Sequence, residues 1–87
     1  MPYITKTRRE ALEFANNPHV LGALCESAGE LNYIITRVVL GYLDSAKESY
    51  AHYNAVLGVL DAVGKELYRR RIEPYEQQKI KENGDVY

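Results

Sequence analysis

The sequence predicts an all-α protein: a small helical bundle with a long C-terminal helix kinked near Pro74, short extended termini, and assembly as a homo-oligomer. Three observations predict this. Thr7-Arg8-Arg9-Glu10 and Ser27-Ala28-Gly29-Glu30 both have the spacing of a helix N-terminal capping box. Apolar residues recur three and four positions apart rather than alternating. Between Ala55 and Val63 only Asp61 is charged, so one helix is apolar around most of its circumference and needs cover on two sides.

The elements follow in order. Thr7 caps a first helix over residues 8–16. Asn17-Pro18 ends it and opens a short second piece, residues 18–26, with Asn17 as the cap and Pro18 at the first helical position. Ser27 opens a helix over residues 28–43, on which Leu31, Ile34, Ile35, Val38, Val39 and Tyr42 share one face that is expected to be buried. Residues 44–48 form a polar connection, and Ser49 caps the last helix, from Tyr50 to at least Arg71. One stripe of that helix is Tyr53, Val56, Leu57, Leu60, Gly64, Leu67 and Tyr68. A second is Ala51, Ala55, Gly58, Val59 and Ala62, whose small residues let another helix approach closely. Pro74 kinks or stops the helix because it lacks an amide donor and its ring meets the preceding turn. Asn83-Gly84 supplies a left-handed stop after a polar, helix-permissive stretch. Pro2-Tyr3-Ile4 and Asp85-Val86-Tyr87 have extended character.

With 87 residues there is room for one domain, 1–87, and a chain this short buries only about 60–65% of its unfolded surface, which leaves it marginal without a staple or a partner. The single cysteine, Cys25, closes no internal disulfide, and no Cys/His spacing suits zinc. Self-association is the remaining source of cover. One cysteine and a start without a basic-then-apolar run predict a cytoplasmic protein. No stretch has the roughly 18 to 20 apolar residues of a membrane span. A net charge of −1 and the lack of a helix-turn-helix signature predict no DNA partner.

Gly29-Glu30-Leu31-Asn32-Tyr33 with Ile35-Thr36-Arg37 forms one half of a wider pattern. The other half is Tyr68-Arg69-Arg70, Pro74-Tyr75-Glu76, Lys79-Ile80 and Glu82-Asn83-Gly84-Asp85-Val86-Tyr87. With the Met1-Pro2-Tyr3-Ile4 start, the chain resembles a family of small helical proteins encoded by bacteriophages and prophages. The resemblance runs nearly from end to end. It implies a phage origin and a compact helical protein, and brings no activity or ligand with it. Small phage proteins can act as sponges, homo-oligomers that sequester a nucleotide-derived alarm signal of the host. That comparison rests on origin, size and assembly, not on a shared motif.

Tyr33, Thr36 and Arg37 lie on neighbouring helical positions, an aromatic platform beside a guanidinium. With Arg69 and Arg70 they suit a small anionic nucleotide-derived ligand: a base stacks on tyrosine and arginine pairs bidentately with phosphate. Adjacent helical residues point about 100° apart, so Arg69, Arg70 and Arg71 cannot all face one pocket. The plainer account is that Asp61–Lys65 and Glu66–Arg70 are ordinary surface pairs and that Tyr33 packs between helices. Tyr75, Asn83 and Tyr87, with Glu76, Lys79 and Asp85, form a second candidate set if the tail docks, and a frayed end if it does not.

A magnesium-dependent pyrophosphohydrolase needs paired carboxylates on neighbouring helices. Glu10 with Glu13, and Glu73 with Glu76, have the spacing, but Glu30 and Asp61 stand alone on the central helices. No enzyme, metal or cofactor is therefore predicted. His19 and His52 lack a nucleophile pattern, with His52 expected at the surface and Cys25 buried. An inhibitor or adaptor of a host protein, using the second apolar stripe, is the alternative binding role.

Overall fold

A helix leaves its first amide groups without acceptors, and in this chain side-chain oxygens fill that role at the start of each of the first four helices. In the computed structural model, which describes residues 3–87 and only the backbone of Ala15, these are α1 (Lys6–Ala15), α2 (Pro18–Leu24), α3 (Ala28–Ala46) and α4 (Tyr50–Leu67). A π-helical turn (Tyr68–Ile72) and α5 (Glu73–Asn83) follow without a break. The described residues contain no strand.

Asn17 Oδ1 accepts from the His19 amide at 2.9 Å, Ser27 Oγ from Glu30 at 3.1 Å and Ser49 Oγ from His52 at 3.3 Å, as the sequence predicts for all three caps. The box at α3 closes through a neighbour: Glu30 Oε1 accepts from the amide of Glu26, one residue before the cap, at 3.0 Å. At α1 the cap is Thr5, not Thr7. Its hydroxyl accepts from Arg8 at 3.2 Å, so the helix starts two residues earlier and Glu10 plays no part in the capping. Either threonine offers a hydroxyl, and Thr5 has the extended backbone (φ −61°, ψ 151°) that a cap requires.

Other boundaries move for local reasons. The second helix ends at Leu24, and the Cys25 amide bonds back to Gly22 O at 3.1 Å. Helix α3 continues through Asp44, Ser45 and Ala46, so the connection shrinks to three residues and the chain turns at Lys47, whose φ is +61°. Gly84 ends α5 with φ +86°, a conformation that L side chains rarely adopt, and its amide bonds to Ile80 O at 2.8 Å. Tyr3–Thr5 and Gly84–Tyr87 are non-helical, in keeping with short extended ends; Pro2 lies outside the described residues.

Pro74 neither stops the helix nor ends it. An α-helical Pro74 would owe its missing amide to the carbonyl of Arg70 and crowd it. The chain instead widens by one residue, with the Glu73 amide bonding to Tyr68 O, five residues back.

The chain divides into two compact units, one ending at Tyr53 and the other running from Asn54 to Tyr87. In the first, α2 touches α3, and Leu43 is the one buried residue of the described chain, 6% exposed. Cys25, Ile34, Val39, Ala46 and His52 are half-buried. In the second no residue is buried, and Val56, Ala62 and Glu66 are half-buried.

The face expected to be buried on α3 is thus largely open: Leu31, Ile35, Val38 and Tyr42 are exposed, Val38 by 64%. So are Tyr53, Leu57, Leu60, Leu67 and Tyr68 of the first α4 stripe, Leu57 by 65%. On α3 the reason is length. Helix α3 is about 28 Å long at 1.5 Å per residue, whereas the seven residues of α2 reach about 10 Å. Cys25, expected to be buried, is half-exposed, with Sγ donating to Leu21 O at 3.5 Å.

Replacing Ser27 by alanine should cost about 1 kcal/mol by leaving the Glu30 amide without its acceptor. Thermal unfolding followed by circular dichroism should register this as a fall of about 4–8 °C.

Candidate functional site

The π turn brings Tyr68 into the C-terminal cluster. Residues eight apart on an unbroken α-helix point about 80° away from each other. The extra residue that the π turn absorbs makes Tyr68 and Glu76 count as seven apart, within about 20° of the same face. The Tyr68 hydroxyl then donates to Glu76 Oε2 at 3.0 Å, across the π turn. That bond pushes the Tyr68 phenol above its usual value of 10.0, helped by the charges of Glu76 and then Glu73.

Gly84 turns the tail out of α5, and the Tyr87 amide bonds to Asp85 Oδ1 at 2.9 Å, giving the tail a local turn. Together these elements frame a cleft of about 510 Å³. Tyr68, Tyr75, Glu76, Lys79, Ile80 and Asn83 line it from the helix, and Gly84 to Tyr87 from the tail. Lys79 Nζ lies 5.5 Å over the Tyr75 ring and pairs with Glu82 Oε2 at 3.3 Å. Tyr75, Asn83 and Tyr87, singled out in the sequence, share this cleft. Tyr68, read there only as an apolar-stripe residue, joins them. An i, i+8 pairing across a proline was the signal, and it becomes legible only once the π turn is counted.

The other predicted ligand residues line neither this cleft nor the second one described. Tyr33, Thr36 and Arg37 lie on α3. Tyr33 is 63% exposed, so the described residues do not enclose it. The Thr36 hydroxyl donates to Asn32 O at 2.8 Å and lies 3.2 Å from Asn32 Oδ1. Arg37 has no hydrogen-bond or ion-pair partner among the described residues. Arg69 and Arg70 lie on the π turn and converge on one carboxylate: Arg69 Nη2 is 2.8 Å and Arg70 Nε 3.1 Å from Glu66 Oε1. Asp61 and Lys65 pair at 2.8 Å, raising the lysine above its ordinary value through that hydrogen bond. Both surface pairs anticipated in the sequence are therefore present. Exposed pairs of this kind contribute little to stability.

The second cleft, about 280 Å³ on α1, is lined by Lys6, Arg9, Glu10 and Glu13. Two cations beside the two carboxylates oppose a divalent metal there. Among the described residues no group of three or more His, Cys, Asp or Glu side chains is placed to hold a metal ion.

His52 is half-buried rather than at the surface. Its Nδ1 is hydrogen-bonded to Ser49 Oγ at 2.9 Å, and the Tyr42 ring meets it edge-on at 6.2 Å. Tyr53 donates to Glu48, which raises its phenol above the ordinary value. These contacts join the end of α3 to the start of α4, with Ser49 Oγ serving at once as the helix cap and as the partner of the imidazole. Among the described residues no helix is long and apolar enough to cross a membrane.

The family described as "Domain of unknown function (DUF6899)" matches residues 1–86, and the chain belongs to it. No curated protein and no solved structure matches the chain.

Because its folded value is raised, the Tyr68–Glu76 bond contributes stability that is fully present below pH 10, the unfolded value, and is lost as pH rises through Tyr68's own titration. In Glu76→Ala the Tyr68 ring, followed by carbon NMR, should titrate at lower pH. Pro74→Ala should have the same effect without touching either partner, because the restored amide lets the α ladder close and turns Glu76 away. Unchanged titration in Pro74→Ala would show that the π turn does not set this register.

Proposed function

We propose that this member of the DUF6899 family is a phage-encoded, non-enzymatic binding protein that works as a homo-oligomer and sequesters a small nucleotide-derived anion, such as a bacterial immune signal. The observation that carries the reading is the open apolar surface of α3 and α4: across both helices one side chain, Leu43, is buried. Apolar surface of this extent marks an interaction site. A second copy offers the same faces, and Gly58 has open space where a side chain would stand, so another helix can come close. The phage origin rests on the sequence resemblance.

The anion reading is supported by Arg37 and Tyr33. Arg37 carries a charge that no described carboxylate neutralises, one turn from an exposed aromatic ring. Arg69 and Arg70 both reach Glu66 from the π turn, which places two guanidinium groups at one carboxylate. The role is binding and withdrawal from solution, with no bond made or broken.

A second reading is favoured by a specific observation. Phe14 of α1 is 93% exposed and Leu24 of α2 68% exposed, apolar side chains outside the stripes of α3 and α4. An inhibitor or adaptor covering a host protein would use such residues. It predicts a complex with one host protein and no response to nucleotides.

Thermal shift with cyclic dinucleotides and ADP-ribose derivatives tests the first reading, since a ligand that binds only the folded state raises its melting temperature. At least one compound should raise it at about millimolar concentration. Arg37→Ala should weaken that binding by about tenfold, or 1.4 kcal/mol. No shift with any of these compounds would remove the anion from the account.

A further inference from the structure

We propose that the cleft formed by α5 and the tail is a second, separate site that binds a small organic cation, an alkylammonium or guanidinium. The proposal is independent of the anion reading, since it uses neither Arg37 nor the arginines of the π turn.

Charge decides the class of ligand. The lining holds one cation, Lys79, against two carboxylates, Glu76 and Asp85. Glu82, just outside the lining, pairs with Lys79 at 3.3 Å and offsets it, so the two lining carboxylates set the sign of the local field. Concave sites lined by one sign of charge concentrate the opposite ion. A phosphate-bearing ligand meets repulsion there, and an amine meets attraction.

The walls suit a cation as well as the charge does. Tyr68, Tyr75 and Tyr87 contribute aromatic rings, whose faces attract ammonium and guanidinium groups. One such contact is already made. The Lys79 ammonium lies 5.5 Å over the Tyr75 ring, so an alkylammonium of the chain itself occupies this wall. The Asn83 side chain offers a carbonyl oxygen to a donor, and Ile80 and Val86 offer apolar contact to an alkyl chain. An elongated amine fits this combination: its charged end between Glu76 and Asp85, its stem along Ile80.

Lys79 gives the proposal a signed test. In a cation site it is a competitor, both as a like charge and as the group over Tyr75. In an anion site it would be the principal attraction. The full chain is titrated with agmatine, which carries a guanidinium and an ammonium on one alkyl chain. Calorimetry and the NMR signals of the Tyr68 and Tyr75 rings report binding.

Agmatine should bind with a dissociation constant of about 1 mM or tighter. Glu76→Gln and Asp85→Asn, which keep shape and remove charge, should each weaken it by about threefold or more. Lys79→Met should tighten it by about threefold, the size of an exposed cation–π contact. ADP-ribose should leave these ring signals unmoved. Circular dichroism of each variant, matching the parent, establishes that its fold is retained. No response to agmatine up to about 10 mM, or weaker binding in Lys79→Met, would overturn the proposal. A shift of the same rings by ADP-ribose would overturn it too.

Discussion

Two helices that cannot cover themselves set the terms for the rest of this molecule. Helix α3 carries an apolar stripe longer than α2 can span, the apolar stripe of α4 is likewise exposed, and among the described residues one, Leu43, is buried. Burial of apolar area is the principal favourable contribution to folding, at about 25 cal/mol per Å². Fixing the backbone opposes it by about 1–2 kcal/mol per residue. Local devices reduce the imbalance without removing it. Caps at Thr5, Asn17, Ser27 and Ser49 satisfy the first amides, and pairs such as Asp61–Lys65 decorate the exposed face. Each contributes about 1 kcal/mol or less. In our reading the remaining stabilisation comes from association, which makes folding and assembly one equilibrium.

The second constraint is smaller and more local. Pro74 deprives the carbonyl of Arg70 of its donor, and the helix responds by taking in one extra residue rather than ending. That residue changes which side chains face one another across it. Tyr68 meets Glu76, while Tyr75 and Lys79 lie beyond the turn on α5 together with the tail that Gly84 releases. A defect in the hydrogen-bond ladder thereby adds Tyr68 to the cleft, a use of π turns that recurs at functional sites. The same turn presents Arg69 and Arg70 to a single carboxylate, Glu66.

Much of this was legible in the sequence where a local rule decides the outcome. Asn17, Ser27 and Ser49 were readable as caps, and Gly84 as a stop, because each meets a backbone need within a few residues. The choice of Thr5 over Thr7 was not, since both threonines satisfy the same rule. Periodicity grouped the apolar residues into stripes, but the burial it led one to expect of the α3 face is not met, because cover depends on other helices. The sequence offered Tyr75, Asn83 and Tyr87 as one set only if the tail docks, and the turn at Gly84 places them around one cleft. The part played by Tyr68 did not, because eight-residue spacing has no meaning on an α-helix until a π turn is inserted. The charge of the cleft was present in the composition of the segment, and it became informative once the lining was known.

Association is the claim on which the account stands, and sedimentation velocity across a range of protein concentrations, paired with thermal melts of the same samples, tests it most directly. An associating chain gives a species heavier than one chain at micromolar concentration and a melting temperature that climbs as protein is added. A single-chain sedimentation coefficient, with a sharp, cooperative melt independent of concentration, would contradict it.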